Sequence, residues 1–199
     1  MTPVKVGLVV EGHGDVKAAP VLFRRIASKI DPTIRLDVQQ PIRTPRNSLV
    51  SKGGELERAV ELAAIKARPR GAVFVLVDSD TDCPATLAPK LLARAQNAAM
   101  GLPVYVVLPK FEFESWFIAA AVSIRGKRGL SVDLAPPENP EEIRGAKEWL
   151  AKRMHGPYSE TLDQPALAAI FDLNQARAAA SFDKCYRDVQ SLIGHFRTV

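Results

Sequence analysis

The chain has 199 residues, 47% of them hydrophobic and 25% charged, a formal net charge of +5 and a pI near 9.4. This is the balance of an ordinary globular protein, long enough for one domain with an appendage and a proper core. No apolar run reaches the length of a membrane helix, and Cys83 and Cys185 stand isolated, which argues against a membrane span, a disulfide framework and a zinc site.

Met1 to Lys5 lead directly into a first strand, Val4 to Val10, rather than a signal peptide, so a cytoplasmic protein is expected. The turn Glu11-Gly12-His13-Gly14-Asp15 ends that strand, and apolar positions at helical spacing from Val16 to Ile30 predict a helix with Asp15 as its N-cap. Pro20 argues for a kink or a later start. Thr33 to Val38 alternates apolar and polar, as a strand nearer an edge does, and Gln39 to Gly54 reads as a loop with a basic face made by Arg43, Arg46 and Lys52. A helix striped by Leu56, Val60, Ala63 and Ala64 stops before Pro69.

The run from Gly71 to Val77 does not alternate at all. A continuous, largely β-branched stretch is the mark of a strand buried on both faces, and this one runs straight into Asp78-Ser79-Asp80. A helix from about Ala85 to Met100 and a strand from Val104 to Leu108 follow. Regular alternation of strand and helix implies parallel βαβ units with right-handed crossovers, hence a three-layer α/β sandwich with a mainly parallel sheet over residues 1–125. Beyond Pro109 the pattern changes to a helix opened by Phe111 to Ile118 and fading near Arg125. A loop bearing Arg125, Lys127 and Arg128, a Pro-rich stretch, and helices near 141–153, 164–171 and 182–196 complete the chain. Residues 126–199 are expected to pack on the core as a helical cap.

Acidic residues gather where strands end: Glu11 with Asp15, Asp78 with Asp80 and Asp82, and Glu112 with Glu114. In a parallel sheet the carboxyl ends of neighbouring strands converge, so these carboxylates can meet, and close carboxylates call for a divalent cation. If the chain stays extended through Ser79, Asp78 and Asp80 share one face. The competing reading has one aspartate capping the next helix and the other solvated, and Glu11 facing solvent from a tight turn. The turn itself fits neither a dinucleotide fingerprint, since Lys17 stands where a third glycine is needed, nor a phosphate loop with its Gly-Lys-Ser/Thr ending. The basic loops suit a phosphate-rich partner or a solvated surface equally. Trp116 and Trp149, among apolar neighbours at helical spacing, read as core.

A strand ending in Glu11-Gly12, a later strand ending in Asp78-Ser79-Asp80 and a parallel α/β frame resemble the Toprim domain of topoisomerases, primases and overcoming-lysogenization-defect nucleases. With Glu114-Ser115-Trp116 and the segment Ala176 to Lys184, the pattern is similar to a bacterial family of stand-alone Toprim-like proteins. The resemblance covers about residues 4–120. It implies a Mg²⁺- or Mn²⁺-dependent phosphodiester-cleaving enzyme in which Glu11, Asp78 and Asp80 are catalytic. In it Glu11, Asp15, Asp78, Asp80 and Glu114 hold the metal, with Glu112 a rival to Glu114. Arg43, Arg46 and Lys52 would then hold a nucleic-acid backbone, and a separately encoded ATPase is an implied partner. No tyrosine of the chain has the context of a topoisomerase nucleophile. A non-catalytic module and a phosphatase acting on a small phosphate ester are the alternatives.

Overall fold

The computed structural model describes residues 3–197. Five parallel strands, β1 (Val4–Val10), β2 (Leu36–Val38), β3 (Ile42–Arg43), β4 (Gly71–Leu76) and β5 (Val104–Val107), form one sheet in the order β2-β1-β4-β5, with β3 beside the far end of β1. Nine α-helices are described: α1 (His13–Ile30), α2 (Arg46–Val50), α3 (Glu55–Ala67), α4 (Pro84–Ala98), α5 (Ser115–Ala119), α6 (Ala146–Ala151), α7 (Asp163–Ala168), α8 (Leu173–Ala176) and α9 (Ala180–Arg197). The chain leaves β1 toward β2 and later returns to its other side as β4. The order therefore reverses between β1 and β4, where open α/β sheets place their ligands.

Side-chain alternation along β1 builds the two outer layers. Val6, Leu8 and Val10 join Phe74 and the buried faces of α1 and α9 in one apolar cluster, whereas Val9 joins Val73, Val75, α3 and α4 in the other. The first cluster also takes in Trp116, Phe171 and Phe182, so the residues after 125 share the core of the sheet. Trp116 is fully buried, with its indole N–H donating to Ser181 Oγ at 2.8 Å, and Trp149 is packed at the margin under Arg153. Gly7 is the contact point of β1 with α3, because a Cβ there would lie 2.3 Å from the Ala63 carbonyl oxygen. Gly7→Ala is expected to cost about 1–3 kcal/mol by overpacking, seen as a lower urea midpoint at unchanged m value. An unaltered midpoint would mean that α3 can shift away freely.

Several expectations are corrected. α1 begins at His13, with Gly12 as N-cap and Asp15 inside the first turn, and it continues through Pro20 because Ala18, Ala19, Leu22, Phe23 and Ile26 bury one face. The strand expected over 33–38 is confined to 36–38, since Asp31 Oδ1 accepts bonds from the N–H and hydroxyl of Thr33 and curls the chain first. The basic loop contains β3 and α2. The helix expected from Phe111 begins only at Ser115, since Phe111 is left-handed (φ 60°), and it passes into a 3-10 turn at 121–124. Both cysteines are free, and no described helix is long and apolar enough to cross a membrane. Of the expected entry into β1, Met1 and Thr2 lie outside the described residues.

Candidate functional site

The carboxyl ends of β1 and β4 lie side by side, and the first groups beyond them are Glu11 and Asp78. The Asp78 N–H donates to Glu11 Oε2 at 3.2 Å, while Asp78 Oδ1 accepts from the Phe113 N–H at 2.9 Å, so the loop after β5 closes over the aspartate. Asp15 enters from the first turn of α1, where its Oδ2 accepts from the Gly12 N–H at 2.9 Å, stabilised there by the helix's positive end. Its other oxygen accepts from Gln164 Nε2 of α7 at 2.7 Å. Glu114 comes from the residue before α5 and is fully buried; its Oε1 accepts from the Tyr158 hydroxyl at 2.9 Å, and its Oε2 has no hydrogen-bond partner among the described residues. Four carboxylates from four separate segments thus gather at one edge, Asp15, Asp78 and Glu114 buried and Glu11 partly so.

Their electrostatics follow from that burial. Desolvation, then the charges of Asp15 and Asp80, pushes the Glu11 carboxyl up to about 7, against the pull of the Asp78 N–H and Arg46. Burial lifts Glu114 to about 8, opposed by Lys147 and Tyr158. Asp78 is raised by burial and by Glu11, Asp15 and Glu114, and Asp15 is raised by burial despite its hydrogen bonds. Lys147, at the start of α6, is the cation that lowers all of Asp15, Asp78 and Glu114. Burial works against its charge, but Glu114, Glu160 and Asp78 hold it protonated beyond the ordinary lysine range. The Tyr158 hydroxyl is pushed up by burial and by Glu114, so it stays a donor.

Asp80 does not share a face with Asp78. The chain turns left-handed at Asp80 (φ 47°), because Ser79 bonds across to Pro109 and the Asp80 N–H to the Phe111 carbonyl. Its carboxylate faces outward, half exposed, 3.1 Å from Arg46 Nε, and lines a shallow concavity of about 370 Å³ with Phe111, Glu112 and Arg144. Arg46 also donates to the carbonyls of Asp78 (2.9 Å) and Ser79 (3.0 Å) and pairs with Asp82. It is therefore a clamp on the loop after β4, with its Nε and Nη2 donors taken up by protein. Arg43 lies 3.5 Å from the Glu11 carbonyl at the exposed end of β3, and Lys52 is exposed in the bend before α3. Glu112 accepts from the Lys147 N–H at 3.2 Å and so anchors α6, leaving Glu114 as the acid that reaches the buried edge. Arg128 is tied to Asp163 and Arg125 to the Leu134 carbonyl.

Lys147, Tyr158, Glu160 and Gln164 are the site residues that sequence reasoning missed. Nothing in their local pattern points to the strand ends. Only a search for cations and amides able to satisfy buried carboxylates could have raised them. For a divalent cation the chemistry of the donor set fits: four hard oxygen acids, one with an orphaned buried oxygen. Their present arrangement does not, since among the described residues no group of three or more His, Cys, Asp or Glu is placed to hold a metal ion. A family model described as a domain of unknown function matches residues 10–190. Neither the curated proteins nor the solved structures contain a match to the chain.

Proposed function

The chain belongs to the DUF4276 family, a domain of unknown function, and from its carboxylate edge we propose that it is a Mg²⁺- or Mn²⁺-dependent phosphodiesterase acting on nucleic acid in the cytoplasm. The observation that carries this reading is the convergence of Glu11, Asp15, Asp78 and Glu114 on the switch point of a parallel sheet, with one buried carboxylate oxygen that has no hydrogen bond among the described residues. A Toprim-like role, and with it a separately encoded ATPase partner, rests on the Glu11-Gly12 and Asp78-Ser79-Asp80 residues themselves. A bound divalent cation would orient phosphate oxygens and stabilise the departing one. In that reaction Asp78 and Glu11 would be the central ligands of the metal, Asp15 and Glu114 would complete the oxygen set, and Glu11 would also move a proton. Asp80 acts from the solvent side, where it holds Arg46 against the loop. Arg43 and Lys52 lie on exposed backbone able to approach a phosphate chain.

A second reading, hydrolysis of a small phosphate ester, is favoured by one feature. Tyr158, Glu160 and Gln164 cover the carboxylates, which leaves less room than an open groove for a polynucleotide. The deciding measurement is Mn²⁺-dependent turnover of supercoiled plasmid, single-stranded oligonucleotides and a chromogenic phosphate monoester, with EDTA and Glu11→Gln as controls. Nucleic-acid cleavage lost in both controls supports the phosphodiesterase. Turnover of the monoester alone supports the second reading. A well-folded protein inert toward all of them, with no stabilisation by metal, indicates a non-catalytic module.

A further inference from the structure

The carboxylate edge already carries a cation made of protein. Lys147 stands at the start of α6, ion-paired to Glu160 in the cover that also sets Tyr158 and Gln164 on Glu114 and Asp15, and its charge favours ionised Asp15, Asp78 and Glu114 alike. Its ammonium bonds Glu160 Oε1 at 2.8 Å, and its backbone N–H is held by Glu112. The same stretch of chain places the Tyr158 hydroxyl on Glu114 Oε1 and Gln164 on Asp15. The seat is tight, because a Cβ on Gly14 would fall 2.7 Å from the Glu160 carbonyl oxygen and 1.7 Å from Gln164 Oε1.

We infer that Lys147, with the Tyr158–Gln164 segment, is an internal counter-cation that latches the carboxylate edge closed, and that a divalent metal binds there only by displacing the lysine and loosening that segment. The inference rests on the metal-dependent reading above and describes how that site is controlled. It also accounts for the mismatch between donor chemistry and donor placement. Two of the acids that would surround a metal are turned toward an amide and a phenol, and the lysine balances their charge meanwhile. Both cations cannot occupy one small carboxylate cluster without repulsion, so metal affinity and latch closure are linked, each reducing the other. The far end of the latch is held to the core through α7, which packs on α1, whereas Gly145 (φ 69°) lies just before Lys147 and Gly156 (φ 126°) just before Tyr158.

The test is Mn²⁺ titration by calorimetry of the full chain and of Lys147→Met, together with hydrogen exchange of the wild type with and without Mn²⁺. The variant is expected to bind roughly tenfold tighter, and Mn²⁺ is expected to speed exchange over residues 146–162 of the wild type. Equal affinities, or slower exchange over that segment on metal addition, overturn the latch while leaving the metal site standing. Absence of Mn²⁺ binding by both proteins overturns the metal reading and the latch together. If Lys147→Met does not fold, the wild-type exchange result alone decides.

Discussion

Replacing Asp78 with Asn is expected to lower metal-dependent cleavage by about 100-fold or more and, at the same time, to raise the melting temperature of the metal-free protein at neutral to mildly alkaline pH. The two effects have one cause. Asp78 is buried, and desolvation with the charges of Glu11, Asp15 and Glu114 opposes its ionisation more than Lys147 favours it. An amide keeps the acceptor for the Phe113 N–H and discards the charge, which suits the fold. A metal needs that charge, so the same change removes a ligand. The gain is expected to be a few degrees in a thermal melt. Retained cleavage, or a clear loss of stability with the Phe113 contact intact, would remove Asp78 from the centre of the site.

The second large effect is on stability against pH. Glu114 and Glu11 have folded pKa values raised to about 8 and about 7 from an ordinary 4.5. Between those limits the folded state holds protons that the unfolded state has released, so metal-free stability is greatest near pH 4.5, falls as pH rises, and levels off above pH 8. For fully buried Glu114 the loss is on the order of 4 kcal/mol across the window. Glu11 adds less, because solvent reaches it. Lys147 does not offset this fall, since its raised pKa keeps it charged throughout. Urea unfolding in a chelating buffer from pH 4.5 to 8.5 measures it directly, and Glu114→Gln is expected to remove the share of the slope due to Glu114, leaving that of Glu11, Asp15 and Asp78. Added Mn²⁺ is expected to recover stability at the alkaline end, where the carboxylates are free to bind it. A stability that rises steadily with pH would contradict the burial of these acids.

Much of the frame was legible in local pattern. The unbroken apolar run of β4, the alternation of strand with helix and the small residues at the turn after β1 each report their neighbours within a few positions, and from them follow a parallel sheet and an acidic carboxyl edge. Glu11, Asp15, Asp78 and Glu114 could be named because they immediately follow strands or open helices. The side that Asp80 takes depended on whether the chain stays extended through Ser79, and the bonds that turn it come from Pro109 and Phe111. Arg46 read as a free cation only because its partners, Asp80 and Asp82, lie more than thirty residues away.

From its residues alone, then, this protein is determined as an α/β sandwich with acids at its strand tips, since period and turn chemistry act over short stretches of chain. What tertiary structure decided is which of those acids are buried together and what neutralises them. Asp78 turns inward and Asp80 outward, and Lys147, Tyr158 and Gln164 come from a segment with no local signal to close over the edge. The physical reason is desolvation. A carboxylate's energy depends on every group within a few ångströms in space, and only the packed chain brings those groups together.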